Sequence, residues 1–131
     1  MYMLDTNICI YIIKRKPENI LSQLEKNKDD GLFISAITLA ELEFGNENSL
    51  YKEQNRIALI EFLTIINIKY FDEKAAREYG VIRKDLKDRN SIIGQLDMLI
   101  GAHAKSLNMI LVTNNVREFE RIKDLKIENW I

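Results

Sequence analysis

The sequence alternates five short apolar runs with longer segments of helical periodicity, and this alternation constrains the fold most strongly. The runs are YML (2–4), GLFIS (31–35), INIKYF (66–71), MILVT (109–113) and the strand-like KIENWI (126–131). Short strands that are apolar throughout are typical of a parallel sheet whose two faces are both covered. We therefore predict an α/β fold with a short central parallel sheet flanked by helices on both faces.

The segments between these runs carry helical patterns and helix-boundary residues. Pro17 suits the first turn of a helix that reaches about Lys26, and Gly45 suits the C-terminal stop of the helix AITLAELEF. The other predicted helices span 6–13, 51–66, 73–88, 95–107 and 116–122. No linker or repeat interrupts the pattern, so residues 1–131 are expected to form one domain.

Composition excludes several classes of protein. No apolar run approaches the roughly 20 residues that span a bilayer, and residues 1–13 lack the features of a signal peptide. We expect a cytoplasmic protein with no membrane partner. The chain has 19 basic and 20 acidic residues, so it lacks the basic excess typical of nucleic-acid binders. Local basic runs do occur, but such runs are more often solvated faces; they are Lys14, Arg15, Lys16 and Arg83, Lys84, Lys87, Arg89.

The single cysteine and single histidine limit the chemistry further. Cys9 lies in an apolar stretch and is expected to be a small buried side chain. His103 projects close to an apolar stripe and is expected to be a hydrogen-bonded interior residue. With one histidine, a Ser-His-Asp or Cys-His mechanism is disfavoured. A protein-bound metal would have oxygen ligands, which favours Mg²⁺ or Mn²⁺ over zinc.

Polar side chains follow three of the predicted strands. Asp5-Thr6-Asn7 follows the first, Ser35 and the helix with Glu41 follow the second, and Thr113-Asn114-Asn115 follows MILV. In open parallel sheets, sites form at the C-terminal strand ends near a switch in strand order. These residues are therefore candidates for one site, although Asp5 has a purely structural alternative as a helix cap.

Glu41 lies on the shoulder of the predicted apolar face of its helix. A helical period of 100° per residue places it near Ile37 and Phe44, where a purely surface carboxylate is not expected. Two structural alternatives stay open: Thr38 and Glu41 fit a capping box, or Ser35 begins the helix.

Asp97 occupies the first turn of a predicted helix, about a quarter-turn from the centre of its apolar stripe. Gly101 follows one turn later on the same side and is expected to leave room for a metal, water or phosphate. Stabilisation of the helix N-terminus is the structural alternative for Asp97. The stripe itself consists of Leu96, Ile100, Ala104 and Leu107.

If Asp5, Glu41 and Asp97 converge, their charges must be neutralised by protons or by a cation, because three carboxylates in a partly desolvated pocket repel one another. Hydrated Mg²⁺ accepts such a cluster. The usual task of an ion in this setting is phosphoryl transfer.

Three blocks of the sequence resemble a known family along essentially the whole chain. They are MLDTNICIYIIKRKP, ITLAELEFG and IGQLDMLIGAHAKSLNMILVTNNVREFERIKDLKIENW, which contain L-D-T-N, D-x-x-I-x-x-H-A and L-V-T-x-N-x-x-E-F. These motifs resemble those of the PIN-domain ribonucleases, specifically the VapC-type toxins of bacterial toxin–antitoxin pairs.

The resemblance implies site residues and a reaction. The invariant acids of the family fall on Asp5, Glu41 and Asp97, which are expected to hold Mg²⁺ or Mn²⁺ for hydrolysis of RNA. An often acidic fourth position falls near Asn115, and Glu118 is expected to supply the missing carboxylate. Thr6 and Asn7 are expected to support Asp5, and Thr113 is expected to contact water or a phosphate.

The resemblance also implies partners. These are a VapB-type antitoxin that blocks the acidic pocket, a second copy of the chain, and operator DNA contacted only through the antitoxin. In the related subgroup the substrate is a transfer RNA cut in its anticodon region. One loop departs from the family pattern: Asn90-Ser91-Ile92-Ile93-Gly94 replaces G-R-P-I-G, which puts substrate preference in question.

Two other classes remain as alternatives. A Mg²⁺-dependent phosphatase would use Asp5 as its nucleophile, but such enzymes need a second aspartate two residues later, where this chain has Asn7. A catalytically silent PIN-fold binding module would not require the three acids.

Overall fold

A computed structural model describes all 131 residues as a five-stranded parallel sheet and seven α-helices. The strands are β1 (Tyr2–Leu4), β2 (Leu32–Ser35), β3 (Asn67–Lys69), β4 (Ile110–Val112) and β5 (Ile127–Glu128). The helices are α1 (Thr6–Lys14), α2 (Asn19–Asn27), α3 (Ala36–Glu47), α4 (Lys52–Leu63), α5 (Glu73–Asp88), α6 (Gln95–Ser106) and α7 (Val116–Phe119). None of the helices is long and apolar enough to cross a membrane.

The strand order is β3-β2-β1-β4-β5, and every pairing is parallel. The chain builds outward from β1 through β2 to β3, and then returns to the other side of β1 with β4 and β5. The strand order therefore switches between β1 and β4, where a crevice is expected at the C-terminal strand ends.

Neighbouring side chains of one strand enter different cores, as the pleat requires. Met3 of β1 and Leu111 of β4 pack with α5, α6 and the segment after α7. Leu4 and Val112 pack with α1, α2 and α4 on the opposite face. The predicted fold, a parallel sheet covered on both faces, is confirmed.

Several predicted boundaries were wrong. Gly45 does not end α3, which continues to Glu47 and is capped by the backbone of Asn48. A glycine inside a helix costs about 1 kcal/mol relative to alanine but does not stop it. Pro17 precedes α2, which begins at Asn19, and α7 is a single turn.

Candidate active site

The candidate site lies at the switch between β1 and β4. Asp5 directly follows β1, and its backbone N–H donates to the carbonyl of Val112 at 2.9 Å. Thr113 directly follows β4. The two neighbouring strands therefore deliver Asp5 and Thr113 to the same point of the sheet edge.

The Asp5 carboxylate is held by two donors and is 4% exposed. The backbone N–H of Thr6 donates to Oδ1 at 2.8 Å, so Asp5 caps α1, and the hydroxyl of Thr113 donates to Oδ2 at 2.8 Å. Burial raises the pKa of Asp5, and the nearby charge of Glu41 adds to this, while the bonds from Thr113 and Thr6 oppose it. Asp5 is therefore both the cap of α1 and a member of the candidate site.

Glu41 is fixed by the first residue of α1. The Thr6 hydroxyl donates to Glu41 Oε1 at 2.7 Å and also lies 3.3 Å from the Thr38 hydroxyl. Thr6 therefore supports two acids, Asp5 through its backbone and Glu41 through its side chain. The helix begins at Ser35, whose hydroxyl accepts from the backbone N–H of Ile37 at 3.0 Å, so Thr38 and Glu41 do not form a capping box.

Asp97 lies in the first turn of α6 and is partly buried. Burial raises its pKa to about 6, and the charges of Asp5, Glu118 and Glu41 contribute in that order. These effects on one carboxyl group require the four acids to lie near one another. Asp5, Glu41 and Asp97 therefore lie near the same edge of the sheet, where the charges of Asp5 and Glu41 act on Asp97.

Asn115 and Glu118 belong to the same edge of the sheet. The amide of Asn115 donates to Glu118 Oε2 at 3.3 Å, and its backbone N–H donates to the Thr113 hydroxyl at 2.9 Å. Glu118 brings the fourth negative charge, which acts on Asp97. Asn115 contributes no charge and orients Glu118.

Three expectations about individual residues were wrong. Asn7 is exposed and gives no hydrogen bond to Asp5, whose donors are Thr6 and Thr113. Thr113 is 0% exposed, so its hydroxyl holds Asp5 and cannot reach a phosphate.

Gly101 does not leave room for a ligand. A Cβ at this position would lie 2.6 Å from Ile122 Cδ1 and 3.6 Å from the ring of Phe119. The missing side chain therefore lets the segment of α7 pack against α6.

The predicted apolar faces of α3 and α6 were partly wrong, because Leu96 is 46% and Phe44 is 70% exposed.

The two residues set aside as interior are interior. Cys9 is 0% exposed. His103 is 1% exposed, and its Nδ1 lies 2.8 Å from the Ser35 hydroxyl. The sequence places Ser35 among the polar residues that follow the predicted strands and as a possible helix start, but it gives no indication that Ser35 pairs with His103, which lies 68 positions later.

No three acidic, histidine or cysteine side chains are close enough together to ligate one ion directly. An ion in this pocket would therefore have at most two carboxylates in direct contact and water in its other positions. Mg²⁺ binds in this way, since it gives up its water reluctantly. The candidate ligands are all oxygen atoms, which are the ligands that a hard cation such as Mg²⁺ prefers.

A parallel α/β fold with four acids at its switch point defines the class of this protein. The family model described as PIN domain matches residues 2–125. Over 130 residues the chain is 45% identical to Ribonuclease VapC2 of Haemophilus influenzae, covering 99% of this chain and 98% of that protein.

It is 42% identical to the tRNA(fMet)-specific endonuclease VapC of Salmonella typhimurium, covering 98% of this chain and 97% of that protein. Among solved structures, it is similar to VapBC2 from Rickettsia felis bound to a DNA fragment from their promoter, with a TM-score of 0.95, 43% identity and coverage of 99% and 98%. The chain belongs to the PIN-domain family and, within it, to the VapC ribonucleases.

Proposed function

We propose that this chain is a toxin endoribonuclease that requires Mg²⁺ or Mn²⁺ and cleaves a transfer RNA in its anticodon region. The observation that carries the proposal is the convergence of Asp5, Glu41, Asp97 and Glu118. Burial first, and then the charges of the other three acids, raise the pKa of Asp97 to about 6. Like charges gathered without a basic partner are typical of a pocket built for a cation.

Asp5 and Asp97 would hold the ion, with Glu41 and Glu118 acting through water. When bound, the ion would offset the carboxylate charges, lower the pKa of water and stabilise the departing oxygen. A neighbouring carboxylate would accept the proton of the attacking water. Water would add to phosphorus as the P–O3′ bond breaks and O3′ takes up a proton from solvent, which leaves a 3′-hydroxyl and a 5′-phosphate.

One lysine lines a groove that contains Glu41, the candidate-site acid on α3. Lys14, at the end of α1, lines the same groove as Glu41, together with Asn46 and Asn55. A cation and amide donors next to an acidic pocket suit a phosphodiester backbone that continues past the cleaved bond. Positive charge is therefore placed locally, although the chain as a whole is slightly acidic.

The target and the partners follow from relatives. The Salmonella relative is named as specific for tRNA(fMet), and the Rickettsia and Salmonella structures are VapBC complexes with DNA. For this chain we propose a VapB-type antitoxin that blocks the pocket, a homodimer of the toxin within a toxin–antitoxin hetero-oligomer, and operator DNA bound through the antitoxin.

Incubation of the purified protein with total cellular RNA, with and without EDTA, tests the proposal when new 5′ ends are mapped. We expect EDTA-sensitive cuts in the anticodon region of one transfer RNA. Asp5→Asn should abolish these cuts and keep the fold, whereas Asp29→Asn, which removes an exposed charge, should cut normally. Hydrolysis of small phosphomonoesters without RNA cleavage would instead support the phosphatase alternative.

A further inference from the structure

The buried contact between Ser35 and His103 joins the two helices that carry Glu41 and Asp97. We propose that His103 is a positioning residue for RNA hydrolysis, which fixes the separation of Glu41 and Asp97 by accepting a hydrogen bond from Ser35. This inference rests on the proposed ribonuclease function, because it concerns the geometry of that site.

The direction of the bond follows from the partners of the Ser35 hydroxyl. Its oxygen accepts from the backbone N–H of Ile37 at 3.0 Å, as the cap of α3. We assign its one proton to the bond with His103 Nδ1, 2.8 Å away. Both side chains are almost fully buried, at 0% and 1% exposed, so water cannot replace either partner at little cost.

The rest of the His103 ring is also engaged. It packs edge-on against Phe71 with ring centroids 5.3 Å apart, and the backbone of Tyr70, which follows β3, lies close enough to influence its pKa. Burial lowers the pKa of His103, which leaves Nδ1 free to accept, while the charge of Asp72 opposes this and that of Lys69 adds to it. The ring is therefore held on several sides and serves as a fixed acceptor.

The contact lies six residues from each acid. Ser35 precedes Glu41 by six positions along the chain, and His103 follows Asp97 by six. At about 1.5 Å per residue, each offset is about 9 Å along its helix. Ser35 begins α3 and His103 lies on α6, so their bond fixes the two helices relative to each other about 9 Å along each helix from its acid. A change at this bond is therefore expected to shift Asp97 relative to Glu41.

Asp97 needs such a constraint more than the other acids do. Asp5 and Glu41 accept hydrogen bonds from threonines, but the surroundings of Asp97 provide burial and three like charges and no hydrogen bond. The position of Asp97 against the repulsion of the other acids then depends on the placement of α6. His103 lies on α6 and is hydrogen-bonded to Ser35, which caps α3.

His103→Leu and His103→Asn test the proposal, because Asn can place an acceptor near the position of Nδ1 and Leu cannot. For His103→Leu we expect kcat to fall about 100-fold, the loss typical of a misplacement of about 1 Å, with KM for RNA little changed. His103→Asn should recover most of this loss. Ile100→Val on the same helix controls for a weakened core and should keep the wild-type kcat.

A second readout needs no RNA. The rise in melting temperature on titration with Mn²⁺ should require higher Mn²⁺ concentrations in His103→Leu than in wild type, and should be restored in His103→Asn. If His103→Leu does not fold, Ser35→Ala with an intact ring provides the same comparison.

The proposal is overturned if His103→Leu keeps kcat and its Mn²⁺ response within about twofold of wild type, or if His103→Asn is as impaired as His103→Leu. A wild-type protein that does not cleave RNA would instead overturn the proposed function. In that case the Mn²⁺ titration still decides whether His103 sets the geometry of the acidic pocket.

Discussion

The Thr6 hydroxyl donates to Glu41 Oε1 at 2.7 Å, so the residue after the buried Asp5 fixes an acid that lies 35 positions later in the chain. The backbone N–H of the same residue donates to Asp5. Thr6 therefore connects the end of β1 to α3 and fixes the position of the Asp5 carboxylate relative to that of Glu41.

We predict that Thr6→Val lowers the rate of RNA cleavage about tenfold. The valine keeps the shape of the side chain and the backbone N–H that donates to Asp5. It removes the hydroxyl that donates to Glu41, and a Glu41 side chain that can rotate positions water poorly. Single-turnover cleavage of the mapped RNA measures the effect. Thr64→Val, which removes an exposed hydroxyl bonded to the Glu61 carbonyl, is the control, and equal rates for the two variants would contradict the role of Thr6.

Asp97 should make the protein less stable as pH rises. Its folded-state pKa of about 6 exceeds the unfolded value of about 3.9, so the folded state binds more protons between these values. The contribution of Asp97 to stability is then fully present below about pH 4 and is lost as pH rises through about 6. The raised pKa of Asp5 acts in the same direction.

Asp97→Asn removes this effect. In EDTA at pH 8 we expect it to stabilise the fold by about 1 to 2 kcal/mol, after a discount for the partial exposure of the side chain. Below pH 4 the difference from wild type should vanish. Thermal melts at both pH values measure this, with Asp29→Asn as the surface control. A stability difference that does not change with pH would show that ionisation of the partly buried Asp97 is not its cause.

The fold and the main acids were predictable because they follow from local patterns. Apolar runs give strands, and polar residues after those strands give Asp5 and the Thr113 segment at the switch point. What could not be predicted were contacts that depend on how helices pack. Thr6 supports Glu41, and His103 meets Ser35, only because α1, α3 and α6 converge at one edge of the sheet.

Gly101 shows how a local pattern misleads. A helical wheel places it beside Asp97, which suggests open space, but the wheel does not include the segment after α7. Ile122 and Phe119 fill that space. Thr113 misleads in the same way, since a polar residue after a strand is expected at the surface and this one is completely buried.

Gly101→Ala should destabilise the fold by about 1 to 3 kcal/mol, because the added methyl group overlaps Ile122 and over-packing has that cost. Gly80→Ala is the matched control, since a Cβ at Gly80 meets nothing within 4 Å. It should stabilise α5 by up to about 1 kcal/mol. Chemical denaturation of both variants measures the contrast.

The Gly101→Ala effect should be reduced by Ile122→Val, which shortens the side chain that the methyl group meets. If Gly101→Ala is as stable as wild type and Ile122→Val does not alter it, the close packing of α6 against the segment after α7 is not what requires the glycine.

Glu118 should contribute to catalysis more than Asn115 does. Glu118 supplies the negative charge that acts on Asp97, whereas Asn115 donates one hydrogen bond of 3.3 Å to it. We expect Glu118→Gln to lower cleavage about tenfold or more and to lower the pKa of Asp97, because a like charge is removed. Asn115→Ala should lower cleavage only a few-fold, since Glu118 keeps its charge.

Cleavage rates and the titration of Asp97 by carbon NMR measure the two effects in the same proteins. Glu120→Gln, next to α7 and exposed, controls for the loss of one acid from this segment. If Glu118→Gln leaves the Asp97 titration unchanged, the two carboxylates do not interact in solution. If Asn115→Ala is the more impaired variant, the amide contacts substrate or water directly, and Glu118 is the residue that supports it.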